Sequence, residues 1–144
     1  MTRGSRDQDR VAGAQHLPLF TQPVSAGFPS PAQDYLESRL DLNRLCIRQP
    51  AATFFVRVEG ESMLEAGIHD GDMLVVDRSL DACHGDIVVA CVDGEFTVKE
   101  LALRPRVRLL PRNPAFAALE FADGQSLDLV GVVTCCLRFF RKPG

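Results

Sequence analysis

The sequence has no tryptophan, a single tyrosine and no excess of positive charge: 16 Lys and Arg stand against 19 Asp and Glu, a formal net charge of −3. A chain of this balance lacks the basic footprint that direct phosphate binding requires, so nucleic acid is not the expected direct partner. Long apolar runs are missing too. A membrane-spanning helix needs about 18 or more consecutive apolar residues, whereas "DMLVVD" and "DIVVACVD" are closed by acids within a few positions. The N-terminus, "MTRGSRDQDRVAGAQ", mixes Arg3, Arg6 and Arg10 with Asp7 and Asp9 around no sustained apolar core, unlike a secretory signal. A soluble, cytoplasmic protein is expected.

Metal-ligand spacing is also lacking. The five cysteines, Cys46, Cys83, Cys91, Cys135 and Cys136, are odd in number and include no C-x-x-C pair, and no histidine stands at zinc-ligand spacing from them. His16, His69 and His84 are scattered and form no set. No metal and no cofactor is expected, and each cysteine reads as a small buried hydrophobe in a reducing compartment.

What is present is enough apolar residue, 46% of 144, for one modest globular domain. The character of the chain shifts near residue 30, where "HLPLFTQPVSAGFPSPAQ" gives way to periodic sequence. Residues 1–29 therefore read as a flexible N-terminal arm, unable to bury enough apolar surface to order itself unless it docks. Such an arm is either a disordered tail or a segment that something else acts on. The body, residues 30–144, opens with helix-start chemistry. Ser30 can cap, Pro31 fits the first helical position and Gln33 completes a capping box, predicting a short helix over Pro31–Leu40.

After Pro50 the period changes. "TFFVRVE", "DMLVVD", "DIVVACVD", "EFTVKELAL", "VRLLP" and "LDLVGVVTCCLRFF" read as strands separated by Gly, Asp, Asn and Pro, so the fold is expected to be mainly β. Asp93-Gly94 predicts a two-residue hairpin turn, which pairs Val92 with Glu95, Ala90 with Thr97 and Val88 with Lys99. That register places Lys99 on one face with Thr97, Leu101, Val88 and Ala90. A lysine there either snorkels to solvent, the usual outcome, or is buried and held neutral, when it can accept a proton near neutral pH. Asp86 would oppose neutrality if it lay close.

Ser62, in "GESM", is by itself a turn residue like many others. Paired with a neutral Lys99 it becomes a possible nucleophile, because a hydroxyl needs an adjacent base and lysine is a recognised one.

These segments carry a resemblance. "GFPSPAQDYLESRLDLN" at Gly27–Asn43, "GESM" at Gly60–Met63, "DGDMLVVD" at Asp70–Asp77, "HGDIVVACVDGEFTVKEL" at His84–Leu101 and "DLVGVVT" at Asp128–Thr134 resemble, in order, the LexA/UmuD family of self-cleaving serine-lysine peptidases. The separation of 37 between Ser62 and Lys99 suits that family. The resemblance implies a LexA-like peptidase fold in which Ser62 is the nucleophile, Lys99 the base, and the backbone N–H groups of Glu61 and Ser62 the oxyanion donors. The implied substrate is the chain's own arm, cut between Ala26 and Gly27. It further implies SOS induction, activation by RecA filaments on single-stranded DNA, and a shortened homodimeric form that joins a UmuC-like Y-family polymerase in translesion synthesis. Ala26 stands where the best-known UmuD-type member has cysteine, matching the repressor branch instead, and Glu61 replaces an aspartate common in the UmuD branch. The basic stretch "RPRVRLLPR" at Arg104–Arg112 reads as a solvated strand face or a protein-binding patch. Rival readings are a signal-peptidase-like processing enzyme, which would want a membrane anchor; a DNA-binding repressor, for which no helix-turn-helix precedes Gly27; and a non-catalytic β-rich binding module.

Overall fold

The structure is a computed structural model that describes residues 15–29, 37–122 and 125–142, and it divides into two compact units, 1–46 and 47–144. In the first unit, β1 (Leu17–Phe20) pairs antiparallel with β2 (Glu37–Leu40), Leu17 opposite Leu40 and Phe20 opposite Glu37. The Arg39 guanidinium donates to the His16 carbonyl at 2.6 Å and ties the ends of the two strands together.

This ladder corrects the end of the expected helix over Pro31–Leu40. Residues 30–36, with the capping residues Ser30, Pro31 and Gln33, lie outside the described residues, but Glu37–Leu40 is strand, because its backbone groups are satisfied across the ladder rather than along a helix. A short helix, α1 (Leu42–Cys46), follows this strand. Asp41 is its cap: the carboxylate accepts the Asn43 N–H at 3.0 Å and the Asp41 carbonyl accepts the Leu45 N–H at 3.0 Å.

The second unit is built on one antiparallel sheet. Its strands are β3 (Thr53–Arg57), β4 (Met73–Asp77), β5 (Ile87–Val92), β6 (Glu95–Ala102), β7 (Arg108–Leu110), β8 (Leu119–Glu120) and β9 (Leu127–Leu137), in the spatial order β3-β4-β9-β5-β6-β7-β8. The mainly β fold expected from the sequence is thus observed. So is the hairpin: Asp93 (φ 48°) and Gly94 (φ 84°) both take left-handed conformations, and Val92, Ala90 and Val88 face Glu95, Thr97 and Lys99.

Alternation along β5 sends neighbouring residues to opposite faces. Val89 joins Met63, Ile68, Leu74 and Val76 in one buried cluster, while Val88 and Ala90 join Leu101, Leu109 and Val132 in another. A strand buried on both faces explains why "IVVACV" is an apolar run rather than an alternating one.

The last strand, β9, runs between β4 and β5 and bulges twice, once between the Val75 and Val76 pairings and once between those of Val89 and Ala90. At its middle sits Gly131, where a Cβ would lie 2.6 Å from Val76 Cγ1 and 3.2 Å from the Asp77 carbonyl oxygen. Glycine is therefore demanded by close approach of β9 to β4.

Beyond β9, the Arg138 guanidinium donates to both oxygens of Asp72, at 2.8 and 2.6 Å, and to the Gly67 carbonyl at 2.6 Å. Asp72 is 2% exposed, and this fork holds its carboxyl well below the usual carboxylate range, against the opposing effect of burial.

None of the five cysteines is buried, contrary to the expectation: Cys83 and Cys136 are exposed and Cys46, Cys91 and Cys135 are intermediate. Cys83 lies in the loop before β5, and Cys135 and Cys136 lie on β9 opposite Val75 and Leu74, adjacent residues that alternate between the two faces of the strand.

Replacing Gly131 by alanine should lower stability by about 1–3 kcal/mol, as overpacking against a stiff β-branched neighbour does. Urea unfolding followed by circular dichroism measures this, and an unchanged midpoint would contradict the close approach.

Candidate active site

Ser62 sits at the end of a loop whose geometry is fixed from several directions. Gly60 takes φ 94°, open to glycine but strained for other residues, and its N–H donates to the Asp70 carboxylate at 2.7 Å. After Ser62, Met63 is 2% exposed and embedded in the core cluster beside β4. Burying a side chain of that size contributes about 1.5–3 kcal/mol, which pins the loop at the residue next to the serine. A single 3-10 turn, Leu64–Ala66, then closes on Gly67. Two carbonyls are held from the segment after β7: Ser62 O accepts the Arg112 N–H at 2.7 Å, and Glu61 O accepts the Asn113 side-chain amide at 2.8 Å. Among the described residues, the N–H groups of Glu61 and Ser62 donate to no protein acceptor.

Lys99 comes from the opposite direction, on β6. Its Nζ lies 3.1 Å from Ser62 Oγ, 2.7 Å from Thr97 Oγ1 and 3.1 Å from the Val98 carbonyl oxygen. Lys99 is half-buried, and burial pushes its pKa below the ordinary lysine value. Asp86 does not counter this: its carboxylate accepts the Cys83 N–H at 2.8 Å and plays no part in the shift.

Three oxygens surround the amine. An ammonium would donate to all three, whereas a neutral –NH2 group that gives its two hydrogens to Thr97 Oγ1 and Val98 O would keep its lone pair for the Ser62 hydroxyl.

Both side chains open on a cleft of about 640 Å3 whose walls include Phe54, Val56, Met63, Val89, Val98 and Val130. Such walls partly shield the amine from water and suit an extended apolar or small-residue peptide. Arg78 stands over the Phe54 ring, 5.6 Å from its centroid, at the same cleft.

The structure therefore brings Ser62 and Lys99 together. Ala26 and Gly27 belong to the first unit and are exposed, with Ser25 Oγ donating to the Phe28 carbonyl across them. His69 and His84 remain apart from the pair; His84 Nδ1 accepts the Leu103 N–H at 2.9 Å. No group of three or more His, Cys, Asp or Glu among the described residues is arranged to hold a metal ion. No helix among them is long and apolar enough to cross a membrane. In the basic stretch, Arg106 pairs with Glu120 at 2.5 Å and Arg108 donates to the Arg104 carbonyl at 3.2 Å.

Three residues at the site were given no role in it from the sequence. Thr97 was placed on the Lys99 face two positions earlier, so its contact with the amine was legible. Arg112 and Asn113 reach the serine loop by a backbone N–H and a side-chain amide from a distant segment, and no residue pattern announces such contacts.

A serine hydroxyl and a partly desolvated amine in hydrogen-bond contact at an apolar cleft have the geometry of serine-lysine acyl-transfer chemistry. The chain belongs to the Peptidase S24-like family, which it matches over residues 18–134. It is 58% identical over 125 residues to the protein SamA of Salmonella typhimurium, covering 87% of each chain, and 55% identical over 119 residues to the protein MucA of Escherichia coli, covering 82% of each. It is also 44% identical over 123 residues to the LexA repressor of Xylella fastidiosa, which spans 85% of this chain and 57% of the repressor. The resemblance to the LexA/UmuD family is thereby borne out.

The chain has two lysines, Lys99 and Lys142. In protein carrying Lys142→Arg and 13C-labelled lysine, the remaining side-chain signal should titrate below the ordinary lysine value of about 10.4. Between the lowered folded value and the unfolded one, the unfolded chain binds more protons, so stability should rise with pH across that window. A signal titrating at or above the ordinary value would contradict the burial of the amine.

Proposed function

We propose that this protein is a latent serine peptidase that cleaves its own chain between Ala26 and Gly27. The observation that carries the reading is the 3.1 Å contact between the Ser62 hydroxyl and an amine whose charge is disfavoured by burial. Neutral Lys99 takes the Ser62 proton as Oγ attacks the Ala26 carbonyl carbon. The N–H groups of Glu61 and Ser62 receive the developing oxyanion. Protonated Lys99 keeps Thr97 Oγ1 and Val98 O as acceptors and directs its third proton to the leaving amine of Gly27. Water then hydrolyses the acyl-serine.

The junction suits this chemistry. Ala26 presents a small side chain to a shallow pocket. Among the described residues, no atom beyond Gly27 and its chain neighbours stands within 4 Å of where a Gly27 Cβ would be, so crowding there does not require glycine. Passage of the backbone close to a dyad would.

The family supplies the setting. Similarity to SamA, MucA and the LexA repressor supports a role in SOS mutagenesis, with a RecA filament on single-stranded DNA favouring the conformation in which the arm is cut. Residues 27–144 would then act as a cytoplasmic homodimer joined to a UmuC-like Y-family polymerase subunit for synthesis across damaged templates. Residues 1–29 would serve as the processed arm and residues 30–144 as the peptidase domain.

Raising the pH well above neutral, with no partner added, should convert intact protein into fragments of residues 1–26 and 27–144, read by mass spectrometry. Ser62→Ala and Lys99→Ala should each abolish the conversion while leaving the circular dichroism spectrum unchanged. Cutting at the same bond by both variants would sink the reading.

A further inference from the structure

The nucleophile and the base sit on separate pieces of the chain: Ser62 on the loop before β4, Lys99 on β6. Their own contact is a single hydrogen bond of 3.1 Å, too little to hold two segments in register through a reaction. Arg112, outside the pair, is hydrogen-bonded to both pieces. The Arg112 N–H donates to Ser62 O at 2.7 Å, and the Arg112 carbonyl accepts the Glu65 N–H at 2.7 Å, so its backbone grips the serine loop on either side of Met63. Its guanidinium reaches the carboxylate of Glu100, the residue after Lys99, with Nε 2.9 Å from Oε1 and Nη2 on Oε2.

We infer that Arg112 and Glu100 form a clasp that sets the Ser62 hydroxyl against the Lys99 amine, making them positioning residues for the reaction. Register explains how it forms. Glu100 faces Leu110 across the β6–β7 ladder, so Arg112, two residues on, falls on the same side just beyond the end of β7. Asn113 extends the grip by donating to Glu61 O at 2.8 Å. The fork is bidentate, which fixes an angle as well as a distance, and a lysine ammonium cannot reproduce it.

Stability is a poor explanation for this pair. The Arg112 and Glu100 side chains retain 43% and 18% of their exposure, and an ion pair that open to solvent contributes little to global folding. Alignment is where it acts, because a displacement of about 1 Å between reacting groups can cost about a hundredfold in rate.

The inference rests on the Ser62–Lys99 reading, and the test separates the two. Self-cleavage at a pH where Lys99 is neutral is followed for the intact chain, Arg112→Ala, Arg112→Lys, Glu100→Ala and the exchanged double variant Glu100→Arg/Arg112→Glu, alongside thermal unfolding of each. The three single variants should cut at least about tenfold more slowly, consistent with loss of alignment, with nearly unchanged unfolding midpoints. The exchanged variant, which restores the ion pair with its charges reversed, should recover most of the rate. Single variants that cut at the parent rate would overturn the clasp, as would a rate loss that tracks a fallen midpoint and is not recovered by exchange. A parent chain that does not cut, indistinguishable from Ser62→Ala, would instead refute the dyad on which the clasp depends.

Discussion

Taking an alkylamine out of water penalises its charged form far more than its neutral form, and in this protein that penalty falls on Lys99. Lys99 is partly enclosed by the cleft, and once uncharged its amine can donate to Thr97 Oγ1 and Val98 O and still turn its lone pair to the Ser62 hydroxyl. Arginine could not serve here, since its guanidinium stays protonated. Of the 16 Lys and Arg in the chain only two are lysine, and one of them faces the serine.

The fold holds that amine and that hydroxyl in place through a sheet closed from both ends of the sequence. Strand β9, the last in the chain, runs through the middle of the sheet between β4 and β5, and Gly131 lets it approach β4. Met63 carries the serine loop into the core so formed. The Asp72 carboxylate gathers the His69 N–H at 2.8 Å and the Arg138 fork, linking the loop's return into β4 to the chain just past β9. The two reacting side chains are thus connected through many weak constraints rather than one strong one.

Much of this was legible because it follows from local rules. The strands announced themselves by composition, and Asp93-Gly94 fixed the hairpin register that puts Thr97 and Lys99 on one face. Ser62 drew its meaning from Lys99 and from the family motif around it. What escaped the sequence is equally specific. The pairing of Leu17–Phe20 with Glu37–Leu40 makes a strand of the last four residues of the expected helix, because a strand can be recruited by a partner some twenty residues away that no local propensity reports. Asp41, not Ser30, caps the helix seen at Leu42–Cys46. Cysteine's general preference for the interior did not hold for any of the five, which are intermediate or exposed. Contacts of Arg112 and Asn113 with the serine loop arise only when β7 closes against β6, and carry no signature in residue type.

The central claim is that one hydroxyl in this chain is made nucleophilic by one neutral amine. A fluorophosphonate probe, which reacts with activated serines, tests it directly when the labelled residue and the labelling rate are both read by peptide mass spectrometry across pH. The account predicts a single adduct on Ser62, formed faster as pH rises through the lowered Lys99 pKa and lost in Lys99→Ala. An adduct on another serine, or labelling of Ser62 at a rate indifferent to Lys99, would contradict it.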